Sequence, residues 1–188
     1  MNALNLKDLA VMSVTNPSQA AQILLAQNLR RDVLWLGLAL AVVLNTLLFS
    51  LSNMLLPGPE GMPVIIQSPM VYAGFVGGGV LATIISIHRV GAMLGGQGSF
   101  NDVMVLMVWM QFLRVTVQAV ALVLMLTIPI LSFLLVLGAS LVGLFIFLHF
   151  IDQAHRLGSL MKAAGVLVGS VFAIAVVLFI LLSLIGGA

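Results

Sequence analysis

Residues Val103–Leu126 read VMVLMVWMQFLRVTVQAVALVLML, and this stretch decides the class of the protein. It holds one charge (Arg114), two glutamines and one threonine among side chains that are otherwise apolar. A bilayer hydrocarbon core takes about 20 predominantly apolar residues of α-helix to cross. Four further runs have the same character: Val33–Ser52, Met70–His88, Ile130–Ile151 and Ala163–Gly186. Lipid cannot hydrogen-bond a free backbone N–H or C=O, so each run is expected to be helical. A barrel does not fit, because the runs show no in/out alternation and are about twice a strand's span. The expectation is an all-α, polytopic integral membrane protein with five transmembrane helices.

The composition of the 188 residues agrees. Hydrophobic residues make up 62%, charged residues 6%, and mean hydropathy is +1.28. A soluble domain carries about 25% charge, so this chain lies far outside that class. The segments between the runs are too short for a soluble catalytic domain, which takes roughly 50 residues or more. The first run starts late and is too long for a signal h-region, so no cleaved leader is expected. With no cysteine, disulfides, thiolate chemistry, iron–sulfur clusters and cysteine zinc sites are excluded. The net charge is +2, with seven Lys and Arg spread along the whole chain. That makes no nucleic-acid surface; the basic residues read better as topology signals.

They fall on one side. Lys7, Arg30 and Arg31 precede the first run, Arg89 follows the second, and Arg156 and Lys162 lie between the fourth and fifth. The connections Asn53–Pro69 and Thr127–Pro129 hold no Lys or Arg, only Glu60. Positive residues stay cytoplasmic, which places the N-terminus inside and the C-terminus outside. Trp35 and Tyr72, at run ends, suit the headgroup layer.

Two domains are expected: a cytoplasmic or interfacial amphipathic segment over 1–32, and the five-helix domain over 33–188. In the first, Asn16 can cap a helix that has Pro17 at its first position, with Ala20, Ala21, Ile23, Leu24 and Leu25 on an apolar side. The stretch Leu56–Pro63 holds three prolines and reads as an outer turn. Ser99 followed by Asp102 reads as a capping box opening the third span. Thr127-Ile128-Pro129 is so short that the third and fourth spans should form an antiparallel hairpin; the alternative is one long helix kinked at Pro129. Small residues four apart suggest helix-packing seams: Gly74 and Gly78, Gly143 with Ala139, and Gly165 and Gly169.

Two polar groupings are candidates for function. Gln111, Arg114 and Gln118 share one helix face and form an intramembrane polar stripe that should face protein or water. Asn45, Thr46, Thr83 and Ser86 are the neighbours available to it. A charge at that depth costs roughly 2.5–3.5 kcal/mol even on insertion scales, and no acidic residue lies level with it. The second grouping is a cytoplasmic rim of His88, Arg89, Asp102, His149, Asp152, His155 and Arg156. Asp152 and Arg156, four apart, suit a salt bridge. The rim lacks a His-x-x-x-His pair, and a hydrogen-bonded rim is expected in place of a metal site. The Gly95-Gly96-Gln97-Gly98-Ser99 loop lacks the lysine and the preceding strand of a phosphate-binding loop. No catalytic set emerges, and no cofactor is expected.

Three segments carry a family resemblance: Asn16-Pro17-Ser18-Gln19-Ala20-Ala21; Gly96-Gln97-Gly98-Ser99-Phe100-Asn101-Asp102 leading into Trp109-Met110-Gln111; and Phe150-Ile151-Asp152-Gln153-Ala154-His155-Arg156. Together with the order of five spans, they make the chain resemble the Yip family, the Ypt/Rab-interacting membrane proteins, in its compact bacterial form. The resemblance implies a five-helix membrane domain with a cytoplasmic N-terminus, in a bacterial cytoplasmic membrane. Eukaryotic members bind prenylated small GTPases and act in vesicle traffic. Their long N-terminal region and acidic-tyrosine-glycine segment have no counterpart here, so GTPase binding is not carried over. The expected function is non-enzymatic: a scaffold, assembly factor or accessory subunit that binds membrane lipids, other membrane proteins or itself. The alternative is a small transporter or channel with a polar path at Gln111, Arg114 and Gln118.

Overall fold

A computed structural model describes residues 5–56 and 68–186. These form seven helices: α1 Leu6–Thr15, α2 Pro17–Ala26, α3 Arg31–Leu55, α4 Pro69–Met93, α5 Phe100–Thr127, α6 Pro129–His155 and α7 Leu160–Gly186. The last five are long and apolar enough to cross a membrane. The protein is a multi-pass, all-α membrane protein, as the five runs require. Each span is longer than its apolar run by a few residues. The expected outer turn over Pro57–Pro63 lies outside the described residues.

Local chemistry explains the boundaries. Asn16 ends α1 and starts α2: its N–H donates to the Met12 carbonyl at 2.7 Å, and its side-chain Oδ1 accepts from the Gln19 N–H at 3.2 Å. Pro17 follows at the first helical position, where a missing N–H costs nothing. Ser99 and Asp102 form the expected reciprocal box at the start of α5. The Ser99 N–H donates to Asp102 Oδ2 at 2.9 Å, and the Asp102 N–H donates to Ser99 Oγ at 3.1 Å. Each bond satisfies a donor that the first helical turn leaves open.

The ends of α4 and α6 close in left-handed turns of one kind. After α4, Gly95 takes φ +86° and the Gly96 N–H reaches back to the Gly91 carbonyl at 2.8 Å. After α6, Arg156 takes φ +54° and the Leu157 N–H reaches the Asp152 carbonyl at 3.1 Å. Both are six-to-one closures of the Schellman kind, a position that normally favours glycine.

Between α5 and α6 the chain reverses. Ser132 Oγ donates to the Ala121 carbonyl at 2.8 Å. In one continuous helix those residues would lie about 16 Å apart along the axis, so the bond decides for a hairpin over a kinked rod.

The chain forms two compact units. The first comprises 1–28, 80–106 and 146–188; the second comprises 29–79 and 107–145. The first unit buries Leu9, Ala20, Ala21 and Leu24 of the short helices. It also buries Val80, Ile84 and Ile87 of α4, Val103–Leu106 of α5, Phe150, Ile151 and Ala154 of α6, and Ala163 and Val166 of α7. The second buries Leu34, Leu38 and Ala41 of α3 and Met107, Val108 and Ala121 of α5. Much of α6 before Ile146 and of α7 after Ser170 exposes large apolar side chains, such as Phe133, Leu141, Phe172 and Phe179. In a membrane such faces meet acyl chains, and helix association rests on packing and hydrogen bonds instead of burial from water.

Candidate functional site

In the second unit, the stripe on α5 divides. Gln111 is buried. Gln118 Oε1 accepts from Asn45 Nδ2 at 2.8 Å, and Asn45 Oδ1 accepts from the Tyr72 hydroxyl at 2.9 Å. Tyr72 also stacks on Phe49, with ring centroids 3.8 Å apart and planes 3° from parallel. So α3, α4 and α5 are tied by a three-residue chain of bonds centred on Asn45, which is 2% exposed. Asn45 was among the neighbours expected for the stripe. Thr46 was too, but its hydroxyl turns back to the Val42 carbonyl at 2.8 Å. The Tyr72 hydroxyl donates to the Asn45 amide because that acceptor stands within reach on the neighbouring helix.

Arg114 departs from the stripe. It lies between Gln111 and Gln118 on the same face, yet its side chain is exposed. Among the described residues no hydrogen bond or ion pair reaches it. Among the described residues the three are therefore not covered alike: Gln111 is buried, Gln118 is bonded and Arg114 is open. The ion pair observed in this unit, Arg30 Nε to Asp32 Oδ1 at 3.2 Å, joins two exposed side chains at the start of α3 and adds little stability. A cavity of about 280 Å³ opens beside the Asn45 chain, lined by Asn45, Phe49, Tyr72, Gln118, Met125 and Ser132 among others. Gln118 lines this cavity and Gln111 and Arg114 do not.

In the first unit, the rim residues gather around the end of α6. His155 is 0% exposed, and its Nδ1 lies 3.2 Å from the Ile151 carbonyl. Its ring rests on Gly91, where a Cβ would overlap Nε2. The Gln97 N–H donates to the His155 carbonyl at 2.9 Å, satisfying one of the acceptors a helix end leaves open. A Cβ on Gly96 would come within 2.7 Å of the His155 Cβ, and a Cβ on Gly98 would overlap the Ala154 carbonyl oxygen. The glycine loop is thus a sleeve around a helix terminus. Its glycines are required by closeness of approach, and sequence reading did not assign them this task.

Asp152 is nearly buried and does not pair with Arg156. Its Oδ1 accepts from the Ser159 N–H at 2.9 Å and its Oδ2 from Gln153 Nε2 at 3.2 Å. The left-handed turn at Arg156 carries that exposed side chain off the helical face that a four-residue spacing assumes. Gln153 in turn accepts from Gln22 Nε2 of α2 at 3.1 Å. His88 is half-buried and meets the Phe100 ring edge-on, with centroids 6.0 Å apart. Among the described residues, no hydrogen-bond partner reaches the buried His88 Nδ1 or His155 Nε2. Arg89 is exposed, and Asp102 is held by its cap with Ser99. His149 is half-buried and partnered. Among the described residues no three of the His, Asp and Glu side chains converge as a metal-ligand set.

The packing glycines also divide. A Cβ on Gly169 would stand 2.9 Å from Val90 Cγ1, and one on Gly165 would stand 3.7 Å from Leu94 Cδ1, so α7 does approach α4 along this edge. A Cβ on Gly74, Gly78 or Gly143 would meet nothing within 4 Å. Among the described residues those three are not close-approach points and lie on open faces. The spacing found the small residues but could not tell a covered face from an open one. Gly37, against Val108 Cγ1 at 3.0 Å, is a close approach the spacing did not single out.

Of the segments that carried the resemblance, 16–21, 96–102 and 150–156 lie in this one unit. The helix opened by Asn16-Pro17 reaches Gln153 through Gln22, and the glycine loop closes over Ala154 and His155. No curated protein and no solved structure matches the chain. A family model, described as the Yip1 domain, matches residues 11–182. With nearly its whole length covered, the chain belongs to the Yip1-domain family of multi-pass, generally non-enzymatic membrane proteins.

Proposed function

We propose that this chain is an accessory or scaffold protein that works by binding other membrane components, with no chemistry of its own. The observation that carries the reading is Arg114. A guanidinium halfway along a span is exposed on the chain's own surface, between a buried and a bonded glutamine. An intramembrane charge is a functional hypothesis by default, and one left open by its own chain calls for a partner. The short described connections and the glycine loop closed over His155 fit a protein that presents faces and does not house a reaction. The basic residues give the proposed orientation, N-terminus cytoplasmic, in a bacterial cytoplasmic membrane. On this placement α1 and α2 lie at the inner interface, where an apolar side and polar flanks are at home.

Gentle extraction from native membranes, followed by mass spectrometry, tests the reading. A membrane protein or lipid retained at fixed stoichiometry supports it. Solute flux through proteoliposomes of the purified chain, abolished by Gln118→Leu, would overturn it in favour of a transporter.

A further inference from the structure

The structure carries the Arg114 reading one step further. We infer that Arg114 is a docking point for a transmembrane helix of another protein that bears a carboxylate at mid-span. This rests on the binding function proposed above and names the partner's chemistry.

Depth comes first. Arg114 lies near the middle of α5, about 20 Å from either end at 1.5 Å per residue. A bilayer with its headgroups measures roughly 40–45 Å, so the Arg114 backbone stands close to the midplane whichever way the chain is inserted. The nearest headgroup begins about 15 Å away. An extended arginine stem covers roughly 7 Å of that. Snorkelling therefore leaves the guanidinium about 8 Å short of a lipid phosphate. The favoured counter-charge is one delivered at midplane depth, and that is something a protein helix can carry.

The chain cannot supply it, and neither can a second copy. Its five acidic residues are Asp8, Asp32, Glu60, Asp102 and Asp152. Asp8 lies on the short helix α1, Asp32 and Asp102 in the first turns of α3 and α5, and Asp152 in the last turn of α6. Glu60 falls between the apolar runs. None is level with Arg114, so a copy inserted in the same membrane offers no matching carboxylate. A carboxyl alone in hydrocarbon takes up a proton; beside a guanidinium it stays ionised and accepts two parallel N–H bonds. Asn45 and Gln118 are already bonded to each other, which leaves Arg114 as the group on this face free to recognise the newcomer.

The test uses the purified full chain in phosphatidylcholine bilayers with a labelled Leu/Ala transmembrane peptide that carries one central Glu, or Gln in its place. Energy transfer should show the Glu peptide binding about tenfold more tightly than the Gln peptide. Arg114→Gln should erase that difference and Arg114→Lys should keep most of it. Arg114 makes no bond within the described residues, so both variants should melt at the wild-type temperature. Equal binding of the two peptides to wild type would overturn the inference. So would a Glu preference that survives in Arg114→Gln, or one displaced by adding phosphatidylglycerol, which would assign Arg114 to a lipid phosphate. If the peptides are not told apart while a membrane protein still co-purifies, the carboxylate fails and the binding function stands. If nothing co-purifies either, both fail.

Discussion

His155 and Arg114 are both nitrogen-bearing polar side chains on membrane helices, and the chain treats them in opposite ways. Around His155 the first unit closes completely: Gly91 makes room for the ring, Gln97 caps the carbonyl, and Gly98 lets the loop lie on Ala154. Around Arg114 the second unit closes its neighbours and leaves the charge outside, with Gln111 buried and Gln118 bonded to Asn45. The difference lies in what surrounds each group. One has a glycine loop built to the width of a helix end. The other stands on a helix where Gln118, one turn on, is already bonded to Asn45. An enclosed group reports on stability, and an open one at that depth reports on binding.

Substitutions at the closed region should have the largest effects. Gly98→Ala forces a methyl into the Ala154 carbonyl and should destabilise the fold by about 1–3 kcal/mol, read as an earlier transition in detergent-solubilised thermal unfolding. Unchanged melting would mean that the loop does not grip α6. Next is the bonded chain in the second unit. Asn45→Leu removes bonds to Tyr72 and Gln118 and should cost about 1–2 kcal/mol, since interhelical bonds in membranes average roughly 0.6 kcal/mol. A double-mutant cycle with Gln118→Leu should return a coupling near 0.6 kcal/mol, and a coupling of zero would remove the bond from the account.

A smaller change should run the other way. Arg156 holds φ +54° at the end of α6, which strains an L side chain by about 1–2 kcal/mol. Arg156→Gly should therefore raise the melting point, with a net gain of about 0.5–1 kcal/mol after the extra flexibility of the unfolded chain is counted. The same substitution would lower it if Arg156 made the ion pair to Asp152 that the spacing suggests. Least of all, Gly78→Ala meets open space and should be neutral or raise stability by roughly 0.5 kcal/mol through helix propensity. A loss there would show that Gly78 is a packing seam after all.

What was legible in the sequence follows the physics. Hydrocarbon thickness fixes span length, so five runs give five helices, and the Ser99–Asp102 and Asn16–Pro17 signals fix two starts because caps are local. Asn45 could be named as a neighbour of Gln118 because few polar side chains share that depth. Openness was not legible. Gln111, Arg114 and Gln118 share one face by spacing, and only the arrangement of neighbouring helices decides which of them is covered. The glycine loop was misleading for a related reason: a glycine marks a close approach without saying what approaches. The signal that could have found it is the pairing of a loop with three glycines and a helix end with a small residue, Ala154, before its last histidine. The Asp152–Arg156 pair failed because spacing assumes the helix continues, and it ends at His155.

One face of α5 is closed at residue 111 and open at residue 114. The chain has no cysteine, so Gln111→Cys and Arg114→Cys each accept one nitroxide. Oxygen collision rates in lipid nanodiscs should be high at position 114 and low at 111. Equally low rates at both positions would contradict the account, because the guanidinium would then be enclosed by its own chain and free to recognise nothing.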